Sequence, residues 1–220
     1  MNTDAIEEFA SASEKSEGSV FLRTKRKGSN LTGIAQKDRD TALFARFLAG
    51  DDKAYKELYD LYERPLYLYI LRLLNSEADA EDVFQDVWIR VYRLRGEDAA
   101  VTKFSGLLFT IGRNLSMNAL RSRRQQPEML DDNSAEFDSM LRIAAAEDSD
   151  LRDLFERALA ELPVAQREAF VLREYNGYAY QEIADITGDT MVTVKTRAFR
   201  ARERLRKLIA AWMDLKNNAE

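Results

Sequence analysis

The chain contains neither cysteine nor histidine among its 220 residues. It can therefore form no disulfide, no thiol nucleophile, no imidazole base and no Cys/His zinc site. Acid pairs such as Glu81 and Asp82 stand at adjacent helix positions, which point away from each other and do not converge on a substrate. The sequence thus predicts no enzyme, no metal site and no cofactor.

Glycine and proline are scarce, at nine and three residues. Because few helix-breaking residues interrupt the chain and its apolar residues recur with a period near 3.6, the sequence predicts an all-α fold. No apolar run reaches the roughly 18 residues of a membrane span, and residues 1–35 lack the apolar core of a signal peptide. We expect a cytoplasmic protein that does not insert into a membrane.

Charge is unevenly distributed along the chain, whose net charge is −5. Residues 195–207 hold seven cations and one acid, and residues 113–124 hold four arginines and no acid. Residues 128–153 reverse this balance, with nine acids and two arginines. Local patches matter more than total charge for binding nucleic acid, so the negative net charge does not argue against DNA as a partner.

Composition and periodicity divide the chain into five segments. Residues 1–37 are polar and without a hydrophobic period, which predicts a flexible extension. Residues 38–126 and 151–212 carry amphipathic helices and are predicted to form two small helical domains. Residues 127–150 are predicted to be a flexible acidic linker between them, and residues 213–220 a C-terminal tail.

Helix starts in the first domain are marked by local signals. Asp51 and Asp52 are suitable N-caps for one helix. Pro65 is best tolerated in a first turn, so a separate helix is expected to begin there. Ser76 followed by Asp79 resembles a capping box and predicts the start of the best-defined helix of this domain.

The helix after Ser76 has an apolar stripe that leaves an acidic edge on its other side, beside Trp88. This spacing fits a docking surface for another protein and a solubilising face equally well. The residues that the apolar stripe leaves on other faces are Asp79, Asp82, Gln85, Asp86 and Ile89.

Residues 180–208 are typical of a helix-turn-helix. Gly188 stands where a left-handed residue would end the first helix, and Thr190 offers an N-cap hydroxyl to the second. Apolar residues of the second helix recur at steps of four and three and predict its inner face. They are Val194, Ala198, Ala201, Leu205 and Leu208.

The remaining surface of that second helix carries side chains suited to DNA. Five side chains lie largely off the apolar stripe, where they could reach phosphates and base edges in a major groove. They are Lys195, Thr196, Phe199, Arg200 and Lys207. A basic run alone is more often a solvated surface helix. The glycine turn and the capped helix start favour a DNA-binding helix-turn-helix instead.

In their order and spacing these motifs resemble a bacterial RNA polymerase sigma factor of the extracytoplasmic function (ECF) type, over about residues 40–208. The resemblance rests on DAEDVFQDVW at 79–88, FTIGRNL at 109–115, and Leu162 and Pro163 with Arg167, followed by YQEIA at 180–184 and TVKTRAFRAR at 193–202. It implies a promoter-reading subunit of RNA polymerase.

The resemblance assigns roles to the first domain. The docking edge, Asp82, Gln85, Asp86 and Ile89, would bind the clamp helices of core RNA polymerase. The segment at 103–124 would melt and hold the minus-10 element, and its arginine-rich part at 113–124 is called the first basic patch. Melting requires a pocket for an unstacked base and a cationic surface for the strand. The loop at 96–103 is the candidate pocket. The minus-10 contacts would be Asn114, Asn118 and Arg121.

The resemblance also assigns roles to the second domain and the linker. Lys195, Thr196, Phe199 and Arg200 would read the minus-35 element, with Arg173 of the preceding helix assisting. The acidic linker would run towards the polymerase active-site cleft. Promoter DNA and core RNA polymerase are the implied partners, and an anti-sigma factor is expected to restrain the protein.

Two departures and one alternative accompany this interpretation. The family often carries tryptophan where this chain has Leu107 and Leu108, and the extension before Asp40 is longer than the minimal family pattern. The alternative is a helix-turn-helix transcription regulator that acts without being a polymerase subunit. That alternative leaves the docking edge, the first basic patch and the linker unexplained.

Overall fold

Helices make up the regular structure of the described residues, which are 31–96, 103–125 and 149–217 in the computed structural model. Eight α-helices and no strand occur within these ranges, which confirms the all-α prediction. We call α1–α4 the first half and α5–α8 the second half. The helices are α1 (Leu31–Leu48), α2 (Asp52–Leu74), α3 (Glu77–Arg93), α4 (Phe104–Gln125), α5 (Ser149–Ala160), α6 (Val164–Glu174), α7 (Tyr180–Thr187) and α8 (Met191–Asn217).

Helix α1 begins before residue 38, where the first domain was predicted to start. Its sequence holds one glycine and no proline, so its backbone chemistry does not prevent helix formation in the predicted extension. The rest of that extension, residues 1–30, lies outside the described residues, as does most of the predicted linker. The bounds of the five predicted segments otherwise remain predictions.

Side chains cap α2 and α3 at the predicted positions. Asp51 Oδ1 accepts hydrogen bonds from the backbone N–H groups of Lys53 at 3.0 Å and Ala54 at 3.3 Å. Ser76 Oγ accepts a hydrogen bond from the N–H of Asp79 at 3.4 Å. Both caps satisfy donors that have no partner inside the helix.

The prediction that a new helix starts at Pro65 is wrong, because α2 runs through it. A proline inside a helix removes a hydrogen bond and costs about 3 kcal/mol. Leu66, Tyr69 and Ile70 follow directly and are at most 1% exposed. Burial of such side chains contributes about 1.5–3 kcal/mol each, which is enough to keep this segment helical.

Aromatic rings fill the core of the first half. The ring centroid of Phe44 lies 4.9 Å from that of Phe104 and 6.1 Å from that of Phe47, so α1 packs against α4. The ring of Tyr59 lies 4.9 Å from that of Trp88. Trp88 stands beside the docking edge in sequence, but it is buried and belongs to the core.

Helix α4 crosses α2 closely at Gly112. A Cβ on this glycine would lie 3.2 Å from Leu66 Cδ1 and 3.8 Å from Ile70 Cδ1. The missing side chain therefore allows the two helices to approach, and a large residue would force them apart.

Replacing Gly112 with leucine is expected to lower the free energy of unfolding by about 1–3 kcal/mol through overpacking. Gly106 of the same helix is the matched control, because its nearest neighbour is Lys103 Cβ at 3.9 Å. Gly106→Ala should be neutral or stabilise by up to about 1 kcal/mol through helix propensity. Urea denaturation followed by circular dichroism measures both. Equal stability of the Gly112→Leu variant and the wild type would show that the crossing can relax.

The described residues from Ala35 onward form one compact unit, in which the two halves contact each other. Arg72 of α2 and Glu156 of α5 form a buried ion pair, with 2.8 Å between Arg72 Nη2 and Glu156 Oε1. The Arg72 guanidinium also lies 3.9 Å above the ring centroid of Tyr175. A charge removed from water in this way requires its partner, so the pair fixes how the halves meet.

A second polar cluster joins the halves at Glu168 of α6. Its Oε1 accepts hydrogen bonds from the Tyr69 hydroxyl at 3.1 Å and from Arg113 Nε at 2.9 Å. The neighbouring Arg167 donates from Nη2 to the carbonyl oxygen of Leu73 at 3.1 Å. Donors from α2 and α4 thus satisfy a carboxylate that the second half buries.

Burial raises the pKa of the Glu168 carboxyl above its ordinary value of 4.5, although Arg113 and Tyr69 oppose the shift. A raised pKa means that the folded state holds this proton more tightly than the unfolded state. The stability that Glu168 contributes is therefore present below pH 4.5 and is lost as the pH rises through the folded-state pKa.

The Glu168→Gln variant should remove this dependence, because a neutral amide can still accept both hydrogen bonds. We expect the unfolding free energy of the wild type, minus that of the variant, to fall as the pH rises from 4.5. Urea titrations at several pH values measure the difference. A difference that is constant with pH would contradict the assigned titration.

Candidate nucleic-acid interface

The turn between α7 and α8 has the predicted helix-turn-helix geometry. Gly188 adopts a left-handed conformation with φ of 72° and donates its N–H to the Ala184 carbonyl at 2.9 Å. Thr190 Oγ1 accepts a hydrogen bond from the N–H of Thr193 at 3.1 Å. One helix is therefore closed and the next is capped within a few residues.

Helix α8 has one buried face and one exposed face, as predicted. Val194, Ala198, Ala201 and Leu205 are at most 1% exposed. Phe199 is 61% exposed on the other side. The predicted minus-35 residues Lys195, Thr196 and Arg200 are exposed as well.

Ion pairs within the fold engage three of the seven cations at 195–207. Arg197 pairs with Asp189 in the turn, and Arg202 pairs with Glu174 of α6. Arg206 pairs with Glu203, the one acid of the run, at 2.7 Å. The other four have no ion-pair partner in the ranges that the structure describes and remain available for phosphates. They are Lys195, Arg200, Arg204 and Lys207.

Arg173, the fifth predicted minus-35 residue, is half-buried and contacts the start of α7. Its Nη1 donates to the Tyr178 carbonyl at 3.1 Å, and its guanidinium lies 4.8 Å from the ring centroid of Tyr180. Lys195 Nζ lies 5.8 Å from the same ring. The structure thus brings Arg173 and Lys195 together at Tyr180. Sequence reasoning missed Tyr180, although an aromatic residue beside the basic helix was a usable signal.

The predicted minus-10 residues share the exposed face of α4. Asn114, Asn118 and Arg121 are all exposed and are separated by four and three positions, so they align along the helix. Leu108 and Leu115 are buried on the opposite side. The candidate base pocket at 96–103 falls mainly on residues 97–102, which lie outside the described residues.

The docking edge is exposed on α3. Asp82, Gln85, Asp86 and Ile89 all reach the surface, and Ile89 is 46% exposed. Tyr92, three positions further on, is 45% exposed and extends the apolar part of the edge. Sequence reasoning missed Tyr92, whose spacing of three from Ile89 was the available signal.

Other kinds of site are not found in the described ranges. No group of three or more metal-ligating side chains occurs among these residues. None of their helices is both long and apolar enough to cross a membrane.

The fold and its exposed faces define a helix-turn-helix protein. Its helix-turn-helix lies in the second half, and its first half carries a polar exposed face of its own. Residues 58–126 match the family described as Sigma-70 region 2, and residues 152–205 match the family described as Sigma-70, region 4. The chain belongs to the sigma-70 family of RNA polymerase sigma factors and is of the ECF type. The resemblance recognised from the sequence is confirmed. Helix α1 and the start of α2 precede the first match.

Individual relatives agree with this assignment. The chain is 32% identical over 183 residues to the RNA polymerase sigma-H factor of Pseudomonas aeruginosa, covering 79% of this chain and 95% of the relative. It is 30% identical over 180 residues to the ECF RNA polymerase sigma-E factor of Escherichia coli K12, covering 77% and 94%.

Solved structures share the fold. The sigma factor RpoE of Bartonella quintana, solved in complex with the anti-sigma factor NepR, is 26% identical with a TM-score of 0.59, covering 72% of this chain and 98% of that chain. CnrH, solved with the cytosolic domain of CnrY, has the same TM-score at 24% identity, covering 78% and 97%.

Proposed function

We propose that the protein binds core RNA polymerase and directs transcription initiation at a specific set of promoters. The observation that carries this proposal is the exposed face of α8, where Phe199 and cations with no ion-pair partner among the described residues lie opposite a buried stripe. A large apolar side chain in water is unfavourable unless a partner covers it, and a thymine methyl or a sugar would do so. Arg200 and Lys195 are placed to bind phosphates or base edges.

In this proposal the two halves have separate tasks. The docking edge on α3 binds core polymerase, and Asn114, Asn118 and Arg121 on α4 contact the minus-10 element. The face of α8, assisted by Arg173, reads the minus-35 element. The proposal needs no catalytic group, and it places the protein with the polymerase in the cytoplasm. An anti-sigma factor is the expected inhibitor, as the complex of the Bartonella relative suggests.

Simultaneous binding of both promoter elements requires the halves to separate. Arg121 of α4 and Arg197 of α8 line the same cleft, so the two predicted DNA-binding helices are close neighbours. Elements about 25 base pairs apart are separated by about 85 Å along the duplex, at 3.4 Å per base pair. We therefore expect binding to polymerase to break the contacts at Arg72 and Glu168.

Promoter-dependent transcription with purified core polymerase tests the proposal. Replacing Arg200 with alanine should reduce specific transcripts by about ten- to a hundredfold, because a good base contact contributes about 1–3 kcal/mol. Arg64→Ala is the matched control, since it removes an exposed arginine from α2 that belongs to none of the proposed surfaces. It should leave transcription unchanged, and both variants should bind core polymerase like the wild type.

Binding assays with the same purified proteins distinguish a sigma factor from a helix-turn-helix regulator that is not a polymerase subunit. If the wild type binds duplex DNA but not core polymerase, the proposal fails and a helix-turn-helix regulator remains. If Arg200→Ala and Arg64→Ala have the same effect on transcription, the α8 face is not the reading surface.

A further inference from the structure

A cleft with a volume of about 300 Å³ opens between α4 and the second half. Four arginines and two carboxylates line it, together with Thr187 and several apolar side chains. Its walls come from α4 on one side and from α6, α7, α8 and the α7–α8 turn on the other. The arginines are Arg113, Arg121, Arg124 and Arg197.

The cleft has an excess of positive charge. Arg113 pairs with Glu168 at 2.9 Å, and Arg197 pairs with Asp189, so two cations balance the two carboxylates. The remaining two arginines on the wall are exposed and have no ion-pair partner among the residues with a described position. Their guanidinium groups are available to an anion in the cleft.

A buried hydroxyl without a hydrogen-bond partner among the described residues also favours an anion as the ligand. Thr187 lines the cleft, is only 8% exposed, and its Oγ1 has no hydrogen-bond partner within the described part of the chain. A buried polar atom without a partner is unfavourable, and native structures contain few of them. Oγ1 itself is buried, so the side chain must rotate towards the cleft before an oxygen of a bound anion can accept the hydrogen bond that this hydroxyl lacks.

We propose that this cleft binds a small phosphate-bearing anion, such as pyrophosphate or the phosphates of a nucleotide. Guanidinium groups present paired donors that match phosphate oxygens, and these charge-assisted bonds are stronger than neutral ones. The volume is at the lower end of the range for small-molecule clefts, which suits a compact anion. Because the walls come from both halves, the bound anion joins them.

The bound anion would also affect transcription, a consequence that rests on the proposed function. Arg121 belongs both to the cleft and to the predicted minus-10 face of α4. An anion held there covers that arginine and stabilises the state in which α4 and α8 are close. It therefore competes with promoter DNA and opposes separation of the halves.

Calorimetric titration of the purified full chain with inorganic pyrophosphate, at low ionic strength and without polymerase, tests the site. The wild type should bind saturably with one anion per chain. Arg124→Ala should weaken binding about tenfold or more, and Thr187→Val should weaken it several-fold while keeping the side-chain shape. Arg64→Ala, with the same loss of charge, should bind like the wild type.

Two results would overturn the site: binding that does not saturate at millimolar pyrophosphate, or equal weakening by Arg124→Ala and Arg64→Ala. A second titration with a short single-stranded oligonucleotide distinguishes the sources of phosphate. If Arg124→Ala weakens binding of the oligonucleotide but not of pyrophosphate, the cleft binds the DNA backbone and the small-anion proposal is wrong. Since no polymerase is present, these failures are distinct from a failure of the proposed function.

Discussion

Replacing Arg72 with alanine is expected to lower the free energy of unfolding by about 3–5 kcal/mol. The substitution leaves the Glu156 carboxylate, which is 4% exposed, without its cation. The Tyr175 hydroxyl, 3.4 Å from Glu156 Oε1, would be its remaining polar neighbour among the described contacts. One neutral hydrogen bond does not offset the cost of burying an unpaired charge. Urea denaturation followed by circular dichroism measures the loss.

A double variant distinguishes the effect of leaving Glu156 without its cation from the effect of lost packing around α2. Arg72→Met with Glu156→Leu replaces both partners by apolar side chains, and such exchanges are often neutral or stabilising. We expect its unfolding free energy to be near that of the wild type or above it. If the double variant is destabilised as much as Arg72→Ala, the loss arises from packing around α2 and not from the unpaired carboxylate.

Replacing Phe44 with alanine is expected to cost about 3–5 kcal/mol, the usual range for a large aromatic side chain in a core. Phe44 is 1% exposed and packs on Phe104, so the substitution leaves a cavity between α1 and α4. Leu61→Ala is the control, because Leu61 is 36% exposed and surface changes usually stay within about 0.5 kcal/mol. The difference in urea denaturation midpoint between each variant and the wild type measures the loss of stability.

This second experiment decides whether α1 belongs to the folding unit of the first half, although it precedes the region 2 match. A Phe44→Ala variant as stable as the wild type would mean that α1 can detach without loss. A loss of the expected size would show that the packing of α1 on α4 contributes to the stability of the first half.

Local chemistry explains what the sequence could predict of the fold. Asp51, Ser76 and Thr190 cap the helices that follow them, because a cap depends only on residues two or three positions away. Pro65 was misread for the same reason. Its local preference for a helix start is real, but burial of the residues after it comes from other helices and outweighs that preference.

Contacts between distant segments explain what the sequence could not predict. Arg72 and Glu156 are 84 positions apart, and each looks in sequence like an ordinary charged residue on a helix surface. The same holds for the candidate interface. The exposed face of α8 follows from its period, but the pairing of Arg202 depends on Glu174, which lies on α6. Counting cations alone therefore overstated the charge available to DNA.

The polar contacts between the halves also matter during synthesis. A ribosome adds about 5–20 residues per second, so the 84 positions from Arg72 to Glu156 take on the order of ten seconds. During that time the face of α2 that carries Arg72 has no second half to cover it. A face that includes one charged residue tolerates water better than a wholly apolar face, which would favour aggregation of the nascent chain. The charge of Arg72 thus favours exposure of this face to water until Glu156 has been synthesised.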